Sequence, residues 1–75
     1  MTALEVAFRY GKQPGAVEMG AIDSVREVYG VRRVVFNQLE RTVRVEYDAS
    51  RLSEAALTSL LRRAGLDLQE KLALA

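Results

Sequence analysis

Five consecutive residues, Gly11-Lys12-Gln13-Pro14-Gly15, combine backbone freedom, a cation and a proline suited to the first turn of a helix. Placed before a helix, such a loop offers free N–H groups and the positive end of the helix dipole, so a phosphate or carboxylate could sit beside Lys12. The competing reading is a structural turn, and the spacing favours it. Neither Gly-x-x-x-x-Gly-Lys-Ser/Thr nor a dinucleotide-binding glycine pattern is present. Elsewhere, Glu18, Asp23 and Glu27 fall on the segment after the loop and Glu40 lies in a turn. Asp23 and Glu27, four apart, would hold a hard cation only loosely, and without a third oxygen cluster they read as a solvated face. Met1 and Met19 are the only sulfur atoms, and lone thioethers are weak ligands. With no Cys and no His, disulfides, thiolate nucleophiles, imidazole bases and nearly every soft-metal site are excluded. The chain is therefore expected to be neither an enzyme nor a cofactor carrier.

The elements that must position these residues belong to one small domain over residues 1–75, with 49% apolar and 28% charged residues. Eleven Lys plus Arg against ten Asp plus Glu leave a net charge of +1, without the basic footprint of a dedicated nucleic-acid binder. The longest apolar runs, such as Val34-Val35-Phe36, are far short of the roughly 20 residues that span a bilayer, and no signal-peptide core is visible. A cytoplasmic location without membrane insertion is expected. A chain this short buries only about 60% of its surface on folding, so a partner or an oligomer would help to stabilise it.

Leu4, Val6 and Phe8 alternate with Glu5, Ala7 and Arg9, which predicts a first strand with Leu4, Val6 and Phe8 on its buried face. From about Ala16 to Tyr29, Val17, Ala21, Val25 and Val28 recur at helical spacing, widened by Ile22 and Tyr29. Gly30 ends that helix, and the interior Gly20 suggests close packing against a strand. Val31, Val34 and Phe36, a turn at residues 37–40, then Val43, Val45 and Tyr47 predict a hairpin. Ser53 is a good N-cap, Leu52 and Leu57 are placed as a hydrophobic staple, and Leu57, Leu60, Leu61 and Ala64 form the second helical stripe. Gly65 ends it, with Leu66 placed to touch Leu61, and Leu66 and Leu68 open a last strand. The two halves are each a βαβ unit. Together they predict an α+β, ferredoxin-like βαββαβ sandwich: a four-stranded antiparallel sheet of order 4-1-3-2 with both helices on one face.

This order of elements, with a glycine turn before the first helix, resembles the heavy-metal-associated domain of copper chaperones and P-type metal ATPases over about residues 3–68, leaving 69–75 as a tail. In that family the first strand runs into Gly-Met-Thr-Cys-x-x-Cys and the helix ends in Gly-Val. Counting back from Gly30-Val31 places Gly11 on the motif glycine, Lys12 on Met, Gln13 on Thr, and Pro14 and Val17 on the two cysteines. Arg63-Ala64-Gly65-Leu66 stands where the family shows Ala-Gly followed by Tyr or Phe. The resemblance implies an inherited scaffold whose thiolate site is lost, since a pyrrolidine ring and an isopropyl group supply no donor atom. Soft metal is not expected, although the family connection keeps open a metal-binding or transport accessory role through a non-thiolate site. A second resemblance, to the tails of metal cation diffusion facilitators, is the weaker one.

Two other families share the architecture. RNA-recognition domains need outward aromatics on the central strands, whereas Tyr47, the aromatic of 41–47, has inward parity. Arg9, Arg33 and Arg44 are expected on the exposed sheet face with Glu5, Glu46 and Val35, as cross-strand ion pairs. Arg9 and Asn37 faintly resemble the Arg and Asn pair of acylphosphatases, without that family's glycine-loop order. Leu72 and Leu74 make the tail more apolar than a free end needs; it either extends the last strand or folds over the core, the preferred reading, or it meets a second copy or partner chain. The leading expectation is a protein-interaction or regulatory module that works through the loop 11–15, the exposed edge of the second strand at 31–37, and an apolar interface including Val35, Leu72 and Leu74.

Overall fold

In the computed structural model, which describes residues 3–72, the elements run β1 (Ala3–Tyr10), α1 (Ala16–Val25), β2 (Val31–Asn37), β3 (Thr42–Asp48), α2 (Glu54–Arg63) and β4 (Leu68–Leu72). The strands form one antiparallel sheet of order β2-β3-β1-β4, the expected topology read from the other side. Register follows the apolar alternation: Val6 faces Val45, Phe8 faces Val43 and Val34 faces Val45 from the other strand. These side chains meet Ile22 and Val25 of α1 and Leu57 and Leu61 of α2 in the core. Leu57 and Leu61 are fully buried, and truncating either to Ala would cost about 2–5 kcal/mol.

Helix α2 follows its sequence signals closely. The Ser53 hydroxyl accepts the Ala56 N–H at 3.1 Å, and the last turn closes through Leu66 N–H to the Leu61 carbonyl at 3.2 Å, with Gly65 at φ 99°. Helix α1 is shorter than expected. It stops at Val25, and the chain continues in tighter turns, Glu27 N–H to the Ser24 carbonyl and Val28 N–H to the Val25 carbonyl. Tyr29 therefore leaves the buried stripe and stands 70% exposed, with the Arg51 guanidinium 4.6 Å from its ring centroid. Val17, in the first turn, is 82% exposed, because it lies off the helix face that carries Met19 and Ile22 into the core. Gly20 meets nothing that a Cβ would touch, so close packing is not the reason for it.

Two positions on β1 also depart from simple alternation. Leu4, at the strand's start, is only half covered, whereas Ala7, on the outward parity, is buried, a short side chain flanked by the longer Arg44 and Leu72 of the neighbouring strands. At the other edge Leu66 is buried in the turn before β4, and residues 69–72, expected as tail, complete that strand, with Leu72 opposite Ala7. Leu74 lies outside the described residues.

Candidate functional site

Loop 11–15 is closed by the chain's own groups. Gly11 donates its N–H to the Asp67 carbonyl at 2.9 Å, and Lys12 donates its N–H to Asp67 Oδ2 at 3.3 Å. Arg41 donates to the Gly11 carbonyl at 2.9 Å, and Gln13 donates from its amide to the Gln38 carbonyl at 3.1 Å. At the helix start, Gly15 donates its N–H to Glu18 Oε1 at 2.7 Å, the reach-back half of a capping box. Glu18, expected in solvent, is thus half-buried and supplies the anion that the helix dipole favours. The phosphate reading of this loop loses its donors at Lys12 and Gly15 to two internal carboxylates.

Turns fix the groups around the loop. Asn37 accepts the Glu40 N–H at 3.2 Å, and Arg41 takes a left-handed φ of 55° that returns the chain into β3. Its carbonyl then receives the Tyr10 N–H at 2.9 Å. The Tyr10 ring packs edge-on against Phe36 at 5.9 Å, and its hydroxyl donates weakly to Gln13 at 3.4 Å. Burial pushes this hydroxyl above its ordinary pKa, partly opposed by Arg41. Sequence reasoning did not assign Arg41 or Asp67 to the loop; only the long-range pairing of β1 with β3 and β4 brings them there.

The residues present do not make a soft-metal site at the two family cysteine positions. Pro14 is half-buried, Val17 is exposed, and neither carries a donor atom. Met19 is packed against the core. Among the described residues no group of three Asp or Glu converges in a way that would hold a metal ion. Asp23 forms an ion pair with Arg26 at 3.5 Å, so its carboxylate already has a cation at the helix end.

On the open sheet face Arg44 pairs with Glu5 at 3.4 Å as expected, whereas Arg9 pairs with Glu70 of β4 at 3.0 Å and Arg32 rather than Arg33 meets Glu46, at 3.6 Å. The exchange follows a register shift between Val31 and Arg33. Phe8, Tyr10 and Tyr47 are buried on the helix side, so the central strands offer no stacking platform for bases. Arg9 and Asn37 are engaged separately, with Glu70 and Glu40. Val35 and Leu72 stand at opposite edges of one row across the sheet, Val35-Arg44-Ala7-Leu72, and line the two ends of a hollow of about 330 Å³. At the far end, a charged cluster was not foreseen. Asp48, buried, accepts from the Ser50 N–H and hydroxyl at 3.0 and 2.6 Å and pairs with Arg51, which tightens the turn into α2. No helix among the described residues is long and apolar enough to cross a membrane.

The chain has the ferredoxin-like fold of heavy-metal-associated domains and lacks their Cys-x-x-Cys. A proposed copper-ion-binding protein from Bacillus anthracis str. Ames, known from its solution structure, superposes with a TM-score of 0.73 at 25% identity, covering 91% of this chain and 97% of that one. The N-terminal domain of PacS from Synechocystis PCC6803 gives a TM-score of 0.69 at 20% identity, over 93% and 98% of the two chains. No family model and no curated protein matches the sequence.

Proposed function

We propose that this domain acts by contact with another protein and does not carry a soft metal ion on its loop. The observation that carries the reading is the loop itself. Where the related scaffold presents sulfur, this chain presents Pro14 and Val17, and the neighbouring amides of Gly11, Lys12 and Gly15 are bound by Asp67 and Glu18. An internally closed loop leaves a surface rather than a coordination sphere. Its contact elements are residues 11–15, the outer edge of β2 and the hollow shared by Val35 and Leu72, and its place of action is the cytoplasm. Neither the site nor the likeness to copper-ion-binding domains supplies the machinery of an enzyme.

The likeness to the Bacillus protein favours a second reading, an accessory in metal transport that binds its ion through a non-thiolate site. Titration with Cu(I) under reducing conditions, alongside sedimentation and partner capture on the immobilised domain, separates the two. Stoichiometric uptake of copper overturns the first reading. A strict monomer that retains neither metal nor protein overturns both.

A further inference from the structure

We propose that β2 receives an extended acidic segment of another protein as a fifth strand, with Arg33 as its charge anchor. The inference rests on the contact reading above and names the partner's chemistry. β2 ends the sheet, pairing only with β3, so its outer backbone groups face no other strand among the described residues. Its seven residues, Val31-Arg32-Arg33-Val34-Val35-Phe36-Asn37, contain two arginines and no acid. Arg33 is exposed and makes no direct ion pair among the described residues, because Glu46, opposite it in register, pairs with Arg32 at 3.6 Å.

The opposite edge differs in each respect. β4 has five residues, and its charges are taken within the chain, Glu70 by Arg9 at 3.0 Å and Lys71 by Glu54 at 2.8 Å. Among the described residues, only β2 leaves an edge-strand cation without a direct ion pair.

The alternation of β2 specifies what the added strand carries. Arg33, Val35 and Asn37 share the open face of the sheet, Val35 is 42% exposed, and hollows of about 190 and 330 Å³ adjoin it. A fifth strand would set an Asp or Glu beside Arg33 and a β-branched residue beside Val35, with main-chain hydrogen bonds supplying affinity and these pockets supplying selectivity. A second copy of β2 is disfavoured in the register that centres the strand on itself. Antiparallel self-pairing about Val34 would bring the two Arg33 side chains to diagonal positions about 7–8 Å apart on one face, a like-charge contact.

The test selects a random-sequence peptide library on the 75-residue protein and titrates the enriched peptide into isotopically labelled protein, reading backbone amide shifts. The expected peptide is acidic with alternating β-branched residues and moves the amides of Val31–Asn37 while leaving 11–15 in place. Arg33→Glu weakens it by about tenfold or more. Methylating alternate peptide nitrogens, which leaves the protein untouched, weakens it comparably. Acidic peptides that map to 11–15, a peptide indifferent to nitrogen methylation, or a dimer formed through β2 would overturn the strand-addition proposal while leaving the contact reading standing. Tighter binding of an oligothymidylate than of any peptide at the same amides would also overturn it. No enrichment at any surface would overturn both.

Discussion

Glu18 of α1 lies across the chain reversal that ends α2, so close to Gly65 that a Cβ on that glycine would stand 2.8 Å from Glu18 Cγ. The same side chain caps Gly15 at 2.7 Å, and one residue thereby joins both helices to the loop. Gly65 is left-handed as well, at φ 99°, so Gly65→Ala adds backbone strain to a displaced Glu18 and costs more than about 1 kcal/mol. Glu18→Ala removes the cap for about 1 kcal/mol, and Glu18→Gln, which keeps an acceptor, costs less. Urea unfolding of the three variants should rank them in that order.

Gly20 offers the opposite result. It sits in mid-helix, exposed, with nothing near the position of a Cβ. Gly20→Ala should therefore stabilise the domain by up to about 1 kcal/mol. For a domain of this size that is a rise in melting temperature of about 4–8 °C, read by thermal unfolding.

These two glycines show what the sequence could express. Gly65 follows a clear amphipathic run and precedes Leu66, so local pattern alone identifies its turn. The hairpin, Ser53 and the inward parity of Val43, Val45 and Tyr47 are legible for the same reason, since each depends on neighbours in sequence, whereas the strand order follows from the repeated βαβ pattern. Gly20 misleads because absence of a side chain looks identical whether space is needed or merely free. Val17 and Tyr29 fit a helical stripe in sequence, but the core takes Met19, Ile22 and Val25 and the helix stops at Val25, so both stand exposed. The loop's closure was least visible: Asp67 and Arg41 are 56 and 30 positions from Gly11, and nothing local to residues 11–15 specifies them.

Arg41 combines a backbone cost with a loop contact, and the two can be separated. At φ 55° a non-glycine residue is strained, while its guanidinium holds the Gly11 carbonyl at 2.9 Å. Arg41→Gly relieves the first and removes the second, so global stability should change by less than about 1 kcal/mol. Local order should respond more. Hydrogen exchange at the Lys12 amide is expected to quicken several-fold in Arg41→Gly and in Asp67→Ala, which removes the acceptor of the Lys12 N–H; unchanged exchange in both would show that these contacts do not order the loop.

Alkaline pH should weaken the fold through two groups. Burial raises the Tyr10 pKa, and the hydrogen bond and charge of Glu54 raise that of Lys71. In both cases the native state retains a proton that the unfolded chain has already released, so stability is intact below the ordinary values near 10 and falls as pH rises through the native ones. Denaturant midpoints measured from about pH 8 to about pH 11 should decline, and Tyr10→Phe, which removes one of the two protons, should flatten that decline even where it lowers stability at neutral pH.

Restoring sulfur tests whether the scaffold still suits a metal. Positions 14 and 17 stand three residues apart on either side of the N-cap Gly15, where the related scaffold carries its two cysteines. Pro14→Cys/Val17→Cys should take up Cu(I) stoichiometrically under reducing conditions, because paired thiolates select that ion, whereas each single variant should bind far more weakly. Chelator competition reads the difference. A double variant that binds no more copper than its parent would mean that the Glu18–Gly15 and Asp67–Lys12 contacts hold the loop in a shape that excludes the ion. Adding Glu18→Ala and Asp67→Ala to the double variant then distinguishes the causes: regained copper binding assigns the exclusion to the carboxylate latches, and continued failure assigns it to the path of the backbone.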